Sequence, residues 1–315
     1  MAEAATDLSI TIVSYNTPAL LRQCLRSIRD HTRIISLEVW VVDNDSIDDS
    51  AEMVAQEFPD VHLIRNKDNK GLAAATNQGL EQSTGRYVMA LNSDTVMMPG
   101  TLDKLVKFMD QHPDVGAAIP RLVLPDGGPH PMFVGNTPTP MIELKCALAP
   151  LSRSLESAAP ANRFGKEINL THTQEVSCIL WGTALIVRRE ILDSVGLQDP
   201  QFFVYAEDVD WVMRIAKAGW KLYYVADAEV VHYGGQSTRQ ASAKMLAMQY
   251  KNKARLIQKH YGFMAGLMLR SAYASVWGIR ILKWLFLYVF SGRRRSEAGD
   301  RIDRMWRIVC SVITY

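Results

Sequence analysis

The stretch GRYVMALNSDT, residues 85 to 95, decides the fold class of this chain. Its first half is apolar enough for a strand that is buried on both faces, and it then runs directly into Asn92, Ser93 and Asp94. These three polar residues are also ordinary turn residues, so a turn is the simpler interpretation of the stretch by itself. The flanking sequence is needed to decide between a turn and a functional edge.

Strand and helix patterns alternate on both sides of this stretch. We predict strands at residues 8–15, 37–43, 61–65 and 86–91, with helices at about 18–28, 46–58 and 71–83 between them. Such alternation indicates βαβ units, and hence an α/β fold with a Rossmann-like, mostly parallel sheet flanked by helices. Ligands of such sheets bind beyond the carboxyl ends of the strands. Asp43 and Asp94 follow two of these ends, which favours a shared site.

Composition restricts the class of protein. The 315 residues are 48% hydrophobic and 22% charged, which suits a folded domain with appendages and not a disordered chain. The N-terminus has neither a basic region nor an apolar run after it, so we expect no secretory signal and a cytosolic location. The four cysteines form no C-x-x-C pair, so neither a zinc knuckle nor a disulfide framework is predicted.

The second half of the chain is less regular. Nine of the 13 prolines fall within residues 113–160, which predicts loops and short elements there. Regular patterns return at residues 183–190, 202–219 and 220–235.

Two further groups of residues could carry chemistry. Glu207 and Asp208 follow apolar sequence in FFVYAEDVDW, and His232 does so in VVHYGG. The acids could equally favour a helix start through the helix dipole, and the histidine could be a satisfied core residue. If both groups converge with Asp94, a carboxylate and an imidazole could hold a divalent cation together with diphosphate oxygens. A nearby aspartate could then take the proton of an attacking hydroxyl.

Seven motifs follow one another in a set order. They are VSYN (13–16), VVDNDS (41–46), NKGLAAATNQG (69–79), LNSDT (91–95), WGTALIVRRE (181–190), FFVYAEDVDW (202–211) and HYGGQS (232–237). In this order they resemble glycosyltransferase family 2, and more narrowly its bacterial rhamnosyltransferase-like members of the GT-A fold. The resemblance covers roughly residues 8–238.

The resemblance implies a nucleotide-sugar donor, either a dTDP-sugar or a UDP-sugar, and assigns residues to it. Asp43 is expected to pair with the pyrimidine base, and Gly71 to permit close approach to the nucleoside. The residues assigned to the donor are Ser14, Tyr15, Asn16, Asp43, Asn69, Gly71, Asn77, Asn92 and Ser93.

The resemblance also implies the catalytic roles. Asp208 is expected to be the base with Glu207 beside it, while Asp94 and His232 hold Mg²⁺ or Mn²⁺. The acceptor is expected at Trp181 and Gly182. The metal motif here is Asn-Ser-Asp instead of D-x-D, so a single carboxylate would hold the ion.

We predict three regions. The resemblance implies a nucleotide-sugar-binding half at 1–120 and an acceptor-binding and catalytic half at 121–240, and the residues after it predict a basic amphipathic helical membrane-associating region at 241–315. The implied reaction is an inverting transfer, most simply of L-rhamnose from dTDP-rhamnose, to a lipid-linked or polysaccharide acceptor in cell-envelope glycan synthesis. A UDP-hexose or UDP-galactofuranose donor, and a non-catalytic nucleotide-sugar-binding scaffold, remain alternatives.

The C-terminal region is basic and apolar. Residues 244–315 hold 14 Lys or Arg against three acids, a net charge of about +11. Within 263–295, Arg280 and Lys283 near the middle would be costly at a bilayer centre, and together with Arg270 they fall on one side of a helix. This pattern predicts a helix that lies in an anionic membrane interface.

Interfacial anchors are expected at Trp277, Trp284, Tyr288 and the triple arginine 293–295. The predicted location is therefore peripheral, at the cytoplasmic face of the bacterial inner membrane. A core helix, or a helix at the contact of a homo-oligomer, is the alternative. We expect no nucleic-acid binding, because the arginines border an apolar face and do not alternate with exposed aromatics.

Overall fold

The computed structural model divides into two compact units. One comprises residues 1–136 and 165–237, and the other residues 137–164 and 238–315. The structure describes residues 6–130, 134–149, 169–179, 181–234, 242–290 and 295–313.

The first unit is an α/β unit, and the first four predicted strands are confirmed. Its described strands are β1 (Leu8–Ser14), β2 (Leu37–Asp43), β3 (His62–Arg65), β4 (Tyr87–Asn92), β5 (Thr95–Met97), β6 (Val115–Val123), β7 (Val134–Gly135), β8 (Gln174–Glu175), β9 (Cys178–Ile179), β10 (Ala184–Arg188) and β11 (Lys221–His232). Its described helices are α1 (Pro18–His31), α2 (Ser50–Glu57), α3 (Leu72–Gln82), α4 (Thr101–Gln111), α6 (Glu190–Ser194) and α7 (Glu207–Lys217).

The main sheet has the strand order β3-β2-β1-β4-β10-β6-β11-β5, with β8 paired to β11. The strands β3, β2, β1 and β4 are parallel, as predicted. The continuous apolar runs of β1 and β4 are buried because helices cover both faces of such a sheet, whereas the edge strand β3 has no buried residue. Ser14 lies opposite Asp43, and Val13 lies opposite Asn92. The carboxyl ends of β1, β2 and β4 therefore meet at one edge.

Beyond β4 the sheet is mixed instead of mostly parallel. Strand β10 is antiparallel to both β4 and β6, and β11 is antiparallel to β5 and β8. A parallel connection needs a crossover, usually helical, on one face of the sheet. The short strands β8 and β9 precede β10 in the chain.

The proline-rich stretch contains more regular structure than its composition predicts. Strand β6 is buried along most of its length although it includes Pro120, which has no backbone N–H for the ladder. Its partner β11 has a register irregularity between Val225, which lies opposite Pro120, and Glu229. A bulge beside the proline makes a strand possible here, and composition alone does not reveal it.

The second unit is helical. Its described helices are α5 (Pro140–Leu148), α8 (Ser242–Tyr261), α9 (Phe263–Phe290) and α10 (Arg295–Ile313). They share one core, formed by Ala147, Ala247, Ala254, Ile257, Leu269, Tyr273, Trp277, Ile281, Trp284, Met305, Ile308, Val309 and Val312. Helix α5, which the sequence places in the acceptor half, thus packs with the C-terminal helices.

Helix α9 differs from the predicted interfacial helix in two respects. Trp277 and Trp284 are buried in the core of the helical unit and are not surface anchors. Arg270 donates to Gln258, and Arg280 lies over the Trp277 ring, so two of the three cations of the predicted polar stripe turn toward the unit. Long cationic side chains can bend back in this way along apolar surface. Residues 293 and 294 lie outside the described residues.

Candidate active site

Asp94 and His232 meet at the end of two paired strands. The short strand β5, which the sequence does not reveal, begins directly after Asp94, and its Thr95 lies opposite His232 of β11. Both side chains are buried, and Asp94 Oδ1 lies 3.3 Å from His232 Nε2. Two ligands at right angles on a Mg²⁺ or Mn²⁺ ion lie about 3 Å apart, since each bond is about 2.1 Å. The pair therefore fits one edge of a metal coordination sphere.

The described residues contain no group of three or more His, Cys, Asp or Glu side chains that could hold a metal ion. A cation at Asp94 and His232 would need further oxygen ligands from a bound molecule. This is the usual situation for Mg²⁺, which takes one or two protein ligands together with substrate phosphates.

Sequence reasoning missed His130, which extends this pair. Its Nε2 lies 3.2 Å from His232 Nδ1, and the two rings stack at 4.8 Å. His130 follows the turn residues PDGGP after β6, a context that indicates only a loop. No local signal identifies it, because its importance comes from the neighbouring strand β11.

Asp208 lies in the first turn of α7 and is held by backbone donors. Gly182 N–H donates to Asp208 Oδ2 at 2.6 Å, and Val209 N–H donates to Oδ1 at 2.7 Å. Burial raises the pKa of Asp208, while these two N–H groups oppose the increase. Tyr205 and Ala206 enter the helix with φ of 69° and 76°, conformations that are unfavourable for residues other than glycine. Such strain is concentrated at functional sites.

Glu207 is more deeply buried than Asp208. Its Oε2 has no hydrogen-bond partner among the described residues. Burial, assisted by the charge of Asp208, raises the pKa of Glu207 well above its ordinary value. The neutral form of Glu207 is therefore favoured beside the more readily ionised Asp208.

A chain of contacts joins Asp208 to the Asp94–His232 pair. Gly182, which binds Asp208, precedes Thr183, whose carbonyl accepts from Asn92 N–H at 2.9 Å. On the other side, the ring of His130 meets the edge of Trp181 at 5.3 Å. The three groups, which the sequence separates by nearly 140 positions, are therefore linked through a short series of contacts.

Gly182 has a structural reason to be glycine. A Cβ at this position would lie 2.7 Å from Asp208 Cβ. The two predicted acceptor residues therefore differ in their contacts. Gly182 packs against Asp208, whereas Trp181 is 40% exposed and could contact a ligand.

Asp43 and Ser14 form a second polar group at the same strand edge. Both residues are buried, and Asp43 Oδ1 and Ser14 Oγ have no hydrogen-bond partner among the described residues. Asp43 Oδ2 accepts from Ser46 N–H at 3.3 Å, which orients the carboxylate. Buried polar atoms without partners are costly, so these two atoms fit a ligand that supplies the missing hydrogen bonds.

Loops around this edge are tied together by asparagines. Asn16, at φ 55°, accepts from Ile47 N–H, and its own N–H donates to Ser46 Oγ. Asn69 Oδ1 accepts from the side-chain amide Nδ2 of Asn44 and from the backbone N–H of Gly71. Tyr15 is partly exposed beside Asn16. Ser93 Oγ lies 3.2 Å from Thr17 Oγ1 at the start of α1.

Gly71 and Asn77 contact the segment before α7. A Cβ at Gly71 would lie 2.5 Å from the Phe203 carbonyl, which accepts from Leu72 N–H. The Asn77 amide bonds both the N–H and the carbonyl of Gln198. These contacts brace the strained turn that presents Glu207. The predicted role of Gly71 and Asn77 in nucleoside binding stays a prediction.

The fold is of the GT-A type. Three solved structures share the fold. They are GalNAc-T7 with UDP, GalNAc and Mn²⁺ (TM-score 0.57, 17% identity, 81% of this chain and 48% of that chain), S. aureus TarS 1–349 (0.52, 15%, 97% and 91%), and the Pyrobaculum calidifontis mannosyltransferase PcManGT with GDP-Man and Mn²⁺ (0.52, 18%, 99% and 89%).

Sequence comparison identifies the family. Residues 9–196 match Glycosyl transferase family 2, and residues 149–313 match Glycosyl transferase family group 2. This chain belongs to glycosyl transferase family 2. It is 28% identical over 256 residues to the N-acetylglucosaminyl-diphospho-decaprenol L-rhamnosyltransferase of Mycobacterium tuberculosis, covering 78% of this chain and 82% of that protein. It is also 28% identical over 239 residues to the Myxococcus xanthus O-antigen biosynthesis protein RfbC, covering 74% of this chain and 18% of that protein.

Proposed function

We propose that this enzyme transfers L-rhamnose from dTDP-rhamnose, with inversion, to a lipid-linked saccharide acceptor in cell-envelope glycan synthesis. The observation that carries the proposal is the contact chain from the Asp94–His232 pair to Asp208. This series of contacts supports the proposal that a candidate diphosphate site and a candidate base act on the same substrate. The similarity to a rhamnosyltransferase whose name specifies a diphospho-decaprenol acceptor supports the choice of sugar and acceptor.

In the proposed mechanism, Asp208 accepts the proton of the acceptor hydroxyl as that oxygen attacks the sugar. Its two backbone donors orient the carboxylate, and burial raises its pKa so that it is a better base than an exposed aspartate. One displacement at the anomeric carbon inverts its configuration. Burial raises the pKa of Glu207 beside it, which disfavours a second negative charge near the acceptor.

The donor binds at the strand edge in this proposal. Asp43 Oδ1 accepts from the pyrimidine N–H, which supplies the hydrogen bond that this buried oxygen lacks among the described residues. Asp94 and His232 would hold Mg²⁺ or Mn²⁺. When bound, such an ion would neutralise charge on the departing nucleoside diphosphate. The division into a donor half (1–120) and an acceptor half (121–240) is part of the same proposal.

The helical unit would place the enzyme at the cytoplasmic face of the membrane. Helix α9 is, in the part of the chain that the structure describes, the one helix long and apolar enough to cross a bilayer, judged by length and composition. One face of α9 is buried in the helical core, whereas Lys283 of the same helix is exposed. We therefore assign α9 to the interface, where alkaline carbonate should release the protein; retention in the membrane pellet would favour a spanning helix.

A donor panel tests the reaction. Purified protein is offered dTDP-rhamnose, UDP-hexoses and UDP-galactofuranose with Mn²⁺ and a polyprenyl-diphosphate-linked sugar, and release of nucleoside diphosphate is measured. We expect turnover of dTDP-rhamnose, and a loss of roughly 10²- to 10⁴-fold in Asp208→Asn with donor binding retained. Turnover of a UDP-sugar alone would establish the second candidate, since uracil and thymine present the same edge to Asp43. Binding without turnover of any donor would favour a scaffold.

A further inference from the structure

We propose that His130 is a positioning residue that sets the tautomer of His232 for cation binding. The inference rests on the proposed function, because it takes Asp94 and His232 as the pair that holds the metal.

The two ring nitrogens of His232 have different neighbours. Nε2 lies 3.3 Å from Asp94 Oδ1, and Nδ1 lies 3.2 Å from His130 Nε2. His130 thus contacts the nitrogen that faces away from the candidate metal position. In metal sites a partner at this second nitrogen orients the imidazole and selects its tautomer.

A neutral imidazole carries one ring hydrogen, so the arrangement has two states. When His232 Nε2 presents its lone pair to a cation, the hydrogen is on Nδ1 and needs an acceptor, which His130 Nε2 provides. When no cation is bound, the hydrogen can be on Nε2 and point to Asp94, and His130 Nε2 then donates to Nδ1. His130 can serve both states because its Nε2 accepts in one tautomer and donates in the other.

His130 is held firmly enough to act in this way. Its N–H donates to the Leu122 carbonyl at 3.1 Å, so the chain folds back on the end of β6. The turn that returns it uses Gly127 at φ +82°, with a hydrogen bond to Leu124 of 2.9 Å. Since β6 pairs with β11, this turn places His130 beside His232, and the Trp181 ring closes the other side.

The test compares two substitutions. His130→Phe keeps an aromatic ring against Trp181 and removes the ring nitrogen, whereas His130→Gln keeps a side chain that can accept or donate. Mn²⁺ affinity in the presence of UDP or dTDP is measured by the electron paramagnetic resonance of free Mn²⁺, and thermal melting reports the fold. We expect His130→Phe to weaken Mn²⁺ binding by about 10- to 100-fold and His130→Gln to retain most of the affinity.

Wild-type Mn²⁺ affinity in His130→Phe would overturn the inference. So would equal losses in both variants with unchanged melting, because packing of the imidazole would then matter and the hydrogen bond would not. His232→Ala distinguishes a wrong role for His130 from a wrong metal site. If His232→Ala also binds Mn²⁺ with wild-type affinity, Asp94 and His232 do not hold the metal, and both the metal site and the role of His130 are contradicted. Should His130→Phe not fold, nitrogen NMR of wild-type His232 with Mg²⁺ and UDP decides, since an Nε2–H tautomer contradicts the proposal.

Discussion

Glu207 and Asp208 are neighbours in sequence, yet their carboxylates have different surroundings. Asp208 accepts two backbone N–H bonds, which favour its charged form, whereas Glu207 Oε2 has no partner among the described residues. Burial raises the pKa of both groups, and that of Glu207 is raised further by the charge of Asp208. Environments that move the pKa values of two carboxylates apart in this way are typical of acid–base sites.

The pH dependence of stability should report the raised pKa of Glu207. Because its folded-state pKa is above the unfolded value, its stabilising effect is complete below the unfolded pKa of about 4.3 and is lost as pH rises through the folded pKa. Glu207→Gln should flatten this decline in the free energy of unfolding, which amounts to at most about 1.4 kcal/mol per pH unit for one proton. Urea unfolding across this range measures it.

The control for this prediction is Glu81→Gln, which changes an exposed glutamate. We expect Glu81→Gln to follow the wild-type curve. If Glu207→Gln follows it as well, Glu207 does not retain its proton in the folded protein.

Gly182→Ala should slow catalysis more than it weakens donor binding. The new methyl group would lie 2.7 Å from Asp208 Cβ and would displace the proposed base. A misplacement of about 1 Å can cost on the order of 10²-fold in rate. Steady-state kinetics should show a lower kcat with a nearly unchanged KM for the donor.

Gly278→Ala is the matched control for Gly182→Ala, because nothing lies within 4 Å of the Cβ that it adds. Its kcat should equal that of the wild type. A wild-type kcat in Gly182→Ala would show that Asp208 tolerates displacement, which is incompatible with its role as the base.

At the level of elements, α9 has two faces that are both apolar. One face, including Leu269, Tyr273 and Ile281, is buried in the core of the helical unit. The other exposes large side chains such as Leu282 and Phe286, each more than 60% accessible. Exposed apolar side chains so close together on one helix indicate a contact surface. Because α8, α9 and α10 share a core, deleting α9 would disrupt the unit, and point substitutions are the better test.

Leu282→Glu/Phe286→Glu should weaken binding to vesicles. Each buried side chain of this size contributes about 2 kcal/mol, so the double change should reduce the partition coefficient by 10²-fold or more. Ile34→Glu, at an isolated exposed position of the α/β unit, is the control and should have no effect. Vesicle sedimentation measures both, and equal binding of the two variants would remove α9 from the membrane contact.

At the level of the whole molecule, charge divides along the chain. Residues 244–315 have a net charge of about +11, so the remainder carries about −9. Each Lys or Arg near an anionic surface contributes about 1 kcal/mol, and salt screens this attraction. Residues 1–243 alone would be repelled by anionic lipid.

Vesicle binding should therefore depend on lipid charge and on salt. Raising salt from about 0.1 M to about 1 M shortens the Debye length from about 10 Å to about 3 Å. We expect binding to phosphatidylglycerol vesicles to fall over this range, and binding to phosphatidylcholine vesicles to be weak throughout. Binding that is strengthened by salt, and equal for both lipids, would show that apolar burial alone holds the protein at the membrane.

Local patterns in the sequence were sufficient for β1 to β4 and for the positions of Asp43, Asp94 and Asp208 at element ends. Apolar periodicity and strand–helix alternation act over a few residues, so they are readable without a structure. Tertiary contacts alone decided the antiparallel entry of β10, the pairing of β5 with β11, the packing of α5 with the C-terminal helices and the place of His130. Each of these depends on residues far apart in the chain, whose contacts form only because strand pairing and shared core burial bring them together.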